Sequence, residues 1–238
     1  MHRHAVQSLP AAKDKIIVPL DVPTVGTARE LIKAIGGTVG FFKVGNQLFT
    51  AAGPSIVKEV QASGSKVFLD LKFHDIPNTV RRAVESACAL GVDMLTIHLS
   101  GGREMCEAAV LGRGMSKVLI LGVTVLTSLN DEALAEIGFR TRVEDEVLLL
   151  ADLAKHVGIT GLVASPQEVV ALRARFGSLF TTVIPGIRPS WSEPGDQKRI
   201  LTPLQAIQAG ADYLVIGRPI TASPDPKSAV LRIIEELG

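Results

Sequence analysis

The chain has 238 residues, 47% hydrophobic and 21% charged, which suits one large domain with a substantial core. A net charge of +1 and only 4% aromatics speak against bulk nucleic-acid binding or a base-stacking surface. No apolar run is long enough to cross a bilayer, and the polar start Met1-His-Arg-His-Ala-Val-Gln-Ser-Leu-Pro10 does not read as a signal peptide, so a cytoplasmic protein is expected.

Residues 1–14 read as a poorly ordered extension, with His2 and His4 on a frayed, solvated end rather than a metal tag. Ile16–Asp21 is an apolar run ending in a charge, the first predicted strand, followed by a helix over Thr24–Ile35. Val39–Val44 is the second strand, and Gly53-Pro-Ser opens the second helix. Lys66–Lys72 is the third strand, with a helix from about Pro77 to Leu90. Met94–His98 precedes Arg103–Leu111, and Val118–Val123 precedes, after a polar loop, Glu144–His156. Gly161–Ala164 pairs with Pro166–Arg175, Thr182–Pro185 with the short Pro203–Ala209, and Tyr213–Gly217 with Asp225–Glu236.

Eight strands and eight helices in strict alternation predict a parallel sheet with crossover helices, closed as a single-domain (β/α)8 barrel over 15–238. The competing open, doubly wound sheet is weakened because no glycine-rich dinucleotide fingerprint follows the first strand. Cys88 and Cys106 fall in helical segments without metal-type spacing and read as reduced thiols.

In such a barrel the chemistry sits at the C-terminal strand ends. There the chain places Asp21, Lys43, Asp70 and Lys72, with Asp75 just beyond the third strand. Asp70 and Lys72, two apart, share one face of a strand. A salt-bridge network closing the mouth would use the same charges, but desolvation offsets much of such a network's attraction. Strand seven runs into Pro185-Gly-Ile-Arg188 and strand eight into Ile216-Gly-Arg218, the usual phosphate-binding loops of this fold. Gly217 would let backbone approach an anion, and the guanidiniums of Arg188 and Arg218 would pair with it. The long polar loop after Ile187 reads as a lid, with Gln197 offering an amide to phosphate and Trp191 as a packing anchor. Thr124 and Thr127 would put hydroxyls near the mouth. His74, expected to face away from Lys72, and His98 and His156 are read as supporting or surface residues rather than metal ligands. Ser100-Gly-Gly102 is read as a helix cap rather than an anion site.

Together these residues carry a family likeness. Asp70-x-Lys72-x-x-Asp75 followed by Ile76-Pro77-Asn78-Thr79 resembles the signature of the orotidine 5′-phosphate decarboxylase family. Lys43-Val-Gly45, Leu126-Thr-Ser128, Pro185-Gly-Ile-Arg188, Asp196-Gln197 and Gly217-Arg218 match in the same order. The first motif is shared with sugar-phosphate lyases of the same suprafamily, such as 3-keto-gulonate-6-phosphate decarboxylase. Those relatives carry an acidic, metal-binding residue near strand two, where this chain has Lys43. The resemblance implies decarboxylation of orotidine 5′-monophosphate to uridine 5′-monophosphate, the last step of de novo uridine 5′-monophosphate (pyrimidine) biosynthesis, with no metal and no other cofactor. It implies Lys72 as proton donor to C6, flanked by Asp70 and Asp75, with Lys43 orienting Asp70 and touching the ribose. Asp21, Thr79, Thr127, Arg188, Gln197, Gly217 and Arg218 would bind the nucleotide. It also implies a homodimer in which Asp75 and Thr79 enter the partner's site, with neither nucleic acid nor membrane as a partner.

Overall fold

The computed structural model describes residues 11–192 and 201–238. Eight parallel strands close into a barrel in sequence order. They are β1 Ile16–Pro19, β2 Phe41–Gly45, β3 Lys66–Phe73, β4 Met94–His98, β5 Leu119–Val123, β6 Gly161–Val163, β7 Thr181–Ile184 and β8 Tyr213–Val215. Closure is made by β1 against β8, with Ile16 opposite Leu214. The strands are short apolar runs bounded by turns, as expected where both faces are covered.

Outside the sheet lie α1 Val25–Ile35, α2 Asn46–Ala52, α3 Ser55–Ala62, α4 Pro77–Ala89, α5 Arg103–Arg113 and α6 Asp131–Glu136. They are followed by α7 Val143–Val157, α8 Val169–Phe176, α9 Pro203–Gln208, α10 Arg218–Thr221 and α11 Pro226–Leu237. α1 shows the local logic: Thr24 caps it by accepting from Thr27 N–H, and Ala28, Leu31, Ile32 and Ile35 bury one stripe. Each large apolar side chain so buried contributes ~1.5–3 kcal/mol. Thr202 and Gln205 close a capping box on α9, with Pro203 at its first position.

The short helices α2, α6 and α10 were not expected: four to seven residues are too few to show a helical apolar period by themselves, whereas the equally short α9 followed a strand in the expected alternation. β1 stops at Pro19, two residues short of the expected end, so Asp21 stands in the following loop. The extension expected over 1–14 lies mostly outside the described residues. Its last part forms the 3-10 turn Ala12–Lys15, whose Lys13 carbonyl accepts from Gly40 N–H beneath the barrel.

Inside the barrel, Ile17, Phe41, Phe68, Met94, Leu121, Val183 and Val215 form an apolar plug. Side chains two residues further along a strand face the same way. The next layer toward the C-terminal rim is therefore set by Pro19, Lys43, Asp70, Thr96 and Val123, and this is where polarity enters the interior. The opposite rim is stapled by Arg173 of α8. Its guanidinium donates to Asp212 Oδ2 at 2.7 Å, Thr182 Oγ1 at 3.0 Å and the carbonyls of Phe180 and Gly210.

Candidate active site at the C-terminal rim

Above the plug opens a cavity of about 560 Å³. Asp21, Lys43, Asp70, Lys72, Thr127, Arg188, Gly217 and Arg218 all line it, so eight of the residues singled out in the sequence converge on one space. Its apolar wall comes from Val123, Val125, Leu126 and Val163.

On one side runs a chain of alternating charge. Lys43 Nζ lies 2.9 Å from Asp21 Oδ2 and 3.3 Å from Asp70 Oδ2. Lys72 Nζ lies 2.9 Å from Asp70 Oδ1 and 3.0 Å from its Oδ2. Asp70 is thus the shared acceptor of two ammoniums. Burial alone would raise its carboxyl, but Lys43, Lys72 and the hydrogen bonds from Lys72 and Thr96 outweigh burial and hold it below the usual carboxylate range. Gly45 leaves room for this chain: a Cβ there would lie 2.9 Å from Asp21 Oδ1 and 3.1 Å from Lys43 Nζ, so a larger residue would push these two side-chain ends aside.

Lys72 has φ +49°, the single non-glycine residue with positive φ among the described residues. The ladder between β3 and β4 shifts register between Leu69 and Phe73 at the same place. Side-chain alternation is broken there, so Lys72 reaches Asp70 through a bulge with a left-handed backbone rather than through the regular pleat. The Lys72 N–H donates to Thr96 Oγ1 at 2.9 Å, and the Thr96 hydroxyl donates to Asp70 Oδ1 at 3.0 Å. Thr96 was not singled out in the sequence. Its signal there was a lone hydroxyl inside the apolar run Met94-Leu-Thr-Ile97.

Across the cavity, Arg188 is buried, with 7% exposure, while Arg218 opens the short α10. The chain turns into Arg188 through Gly186 at φ +80°, a conformation that suits glycine. The loop base is tied where Arg188 N–H donates to the Leu201 carbonyl and Ile187 bridges Leu201. Trp191 packs on the core with Arg232 stacked 4.2 Å from its ring centre, which fits the anchor role. Gln197 lies outside the described residues.

Asp75 and Thr79 do not line this chain's cavity. Both are exposed, on either side of Ile76, which is 67% exposed, and the Asp75 carboxylate accepts from Ile76 N–H. Thr124 also turns away, donating to the Val163 carbonyl. The expected cap at Ser100 is not made: Leu99–Gly101 is a 3-10 turn, and α5 starts from Gly102 without a side-chain cap. His98, at the end of β4, is half-buried, with the exposed His74 ring 5.2 Å away. Burial lowers the His98 imidazole below its ordinary value; His74 and Lys72 push the same way, and Asp70 opposes them. Among the described residues no three His, Cys, Asp or Glu side chains gather as a metal-holding group. Nor is any helix there long and apolar enough to cross a membrane.

Residues 14–233 match the sequence model of a family described as "Orotidine 5′-phosphate decarboxylase / HUMPS family". The chain is 49% identical over 235 residues to the orotidine 5′-phosphate decarboxylase of Syntrophotalea carbinolica, covering 95% of this chain and 96% of that one. Its identity to the protein of the same name from Moorella thermoacetica is 49% over 236 residues, covering 95% and 93%. The solved orotidine 5′-phosphate decarboxylase of Lactobacillus acidophilus superposes with a TM-score of 0.83 at 38% identity, covering 94% of this chain and 98% of that one.

Proposed function

The chain belongs to the orotidine 5′-phosphate decarboxylase / HUMPS family, and from that premise we propose that it converts orotidine 5′-monophosphate to uridine 5′-monophosphate and carbon dioxide without metal or organic cofactor. The observation that carries this reading is the shared cavity, with the Asp21–Lys43–Asp70–Lys72 chain on one wall and Arg188 and Arg218 on the other. A nucleotide fits such a site with its phosphate at the arginines and its reacting ring at Lys72.

In the proposed step the bond from C6 to the carboxylate carbon breaks, its electron pair stays on C6, and carbon dioxide leaves. The carbanion has no ring carbonyl placed for easy delocalisation, so stabilisation must come from fixed charge. Lys72 supplies it, then transfers a proton from Nζ to C6 and regains one from solvent. Asp70 aims the ammonium, and Lys43 aims Asp70 while presenting its own charge toward the ribose. Asp70 also repels the substrate carboxylate. Two unit charges ~4 Å apart at an effective dielectric of about 20 repel by ~4 kcal/mol, which accelerates the step only as far as the transition state relieves it. Binding at the phosphate is remote from C6, and it aids the reaction by fixing the ring against the charged wall.

The reading includes an isologous dimer in a cytoplasmic setting, in which Asp75 and Thr79 complete the partner's site. The support is that both residues stand exposed beside the exposed Ile76 and outside their own cavity. The test of function is loss of pyrimidine absorbance when the purified chain meets orotidine 5′-monophosphate in the presence of a chelator. Turnover is expected. Binding without decarboxylation would point instead to a nucleotide sensor, and activity lost to the chelator would point to a metal-dependent lyase.

A further inference from the structure

Thr96 is 1% exposed between the apolar Leu95 and Ile97, and both hydrogen bonds of its hydroxyl go to the charged pair. A hydroxyl has one proton and two lone pairs. The Lys72 N–H is itself a donor, so the Thr96 proton is committed to Asp70 Oδ1 and a Thr96 lone pair to Lys72. The single side chain thereby replaces the strand hydrogen bond that the register shift between Leu69 and Phe73 removes. It also holds the one non-glycine residue at positive φ among the described residues, a conformation that side-chain sterics disfavour.

We infer that Thr96 is a positioning residue of the decarboxylase site, its hydroxyl fixing both the Lys72 backbone and the Asp70 carboxylate so that the ammonium faces the cavity before substrate arrives. The catalytic meaning rests on the function proposed above; the positioning itself does not. Asp70 is faced by Lys43 from β2, with Asp21 behind it, by Lys72 from its own strand, and on the β4 side by His98 as well as Thr96. Of these, Thr96 alone has no titratable group, so altering it leaves the charge count unchanged at every pH.

The experiment compares the wild-type chain with Thr96→Val, which keeps the shape but loses the hydroxyl, and Thr96→Ser, which keeps the hydroxyl. Thr96→Val should lower kcat by about 10- to 100-fold, the range for hydrogen bonds to charged groups, with KM for orotidine 5′-monophosphate within ~3-fold. The acid limb of its kcat profile should move to higher pH, because Asp70 loses a donor that favours its charged form. Thr96→Ser should restore both. Should Thr96→Val fail to fold, Thr96→Ala takes its place. A wild-type kcat and acid limb in the hydroxyl-free variant, or a Ser variant as impaired as the Val variant, overturns the inference. If the wild-type chain does not decarboxylate the nucleotide at all, the functional reading fails by itself. Thr96 is then judged by the carbon-13 carboxyl titration of Asp70. A midpoint raised in Thr96→Val and restored in Thr96→Ser supports the assignment; an unmoved midpoint overturns it.

Discussion

Replacing Lys43 by methionine keeps an unbranched side chain one atom shorter and removes the ammonium, with its charge and hydrogen bonds, between Asp21 and Asp70. Lys43 Nζ and Asp70 Oδ2 are 3.3 Å apart, and both side chains are 11% exposed. Unit charges ~3.3 Å apart at an effective dielectric of about 20 attract by ~5 kcal/mol before desolvation. The Asp21 arm is shorter, but its carboxylate is half exposed, so it adds at most ~1 kcal/mol. Removing one partner of a buried pair costs ~3–5 kcal/mol, because the other charge stays buried. Lys72 still pairs with Asp70, which puts Lys43→Met near the lower end, ~3 kcal/mol at neutral pH. The sign of the pH dependence follows from the lowered Asp70 carboxyl. Its stabilising contribution is complete above the unfolded value of about 3.9 and is lost as pH falls through the lower folded value. Urea unfolding at fixed protein concentration should therefore show the wild-type and variant curves ~3 kcal/mol apart at neutral pH, with the gap narrowing only below about pH 4 and closing as pH falls through the lower folded value. A gap under ~1 kcal/mol at neutral pH, as for an exposed pair, would refute the argument. So would a gap that stays unchanged as pH is lowered through the depressed Asp70 value.

Arg218→Ala should weaken orotidine 5′-monophosphate by about 10- to 100-fold while barely changing affinity for the dephosphorylated nucleoside; equal weakening of both would remove the phosphate role. His98 has a lowered folded value, so its neutral form is the one that suits the fold. Wild-type stability should fall as pH drops below about 6.5, and His98→Gln should flatten that slope, whereas identical slopes would show that His98 does not carry it. Arg173→Ala should cost about 2–4 kcal/mol through its lost bonds at the far rim, yet leave turnover per folded molecule near wild type. A variant stable but inactive would contradict the separation of the two rims.

Much of this site was legible because its residues sit where the strand pattern ends. Lys43, Asp70 and Lys72 each interrupt an apolar run, and Arg188 and Arg218 follow Gly-containing turns after the last two strands. The barrel was legible for a related reason: fully covered parallel strands are continuous apolar runs separated by helices. What stayed hidden depends on geometry that no local pattern encodes. The left-handed Lys72 and the bulge around it arise from how β3 meets β4, and Thr96 matters only through that meeting. β1 ends before Asp21 because pairing with β2 runs only as far as Pro19 opposite Lys43. The Ser100 cap failed because a 3-10 turn intervenes before α5. Asp75 shows the limit from the other side. Its spacing places it beyond the strand, but which cavity it serves is a question about two chains.

The most direct test of the central claim is single-turnover decarboxylation by Lys72→Ala, measured beside its affinity for uridine 5′-monophosphate. Lys72 is assigned both the stabilising charge and the proton, so the rate should fall at least ~10,000-fold. Product affinity, carried largely by the arginine wall, should stay within ~10-fold of wild type. A Lys72→Ala chain that still decarboxylates within ~10-fold of the wild-type rate would contradict the account, because removing a true proton donor costs more than that.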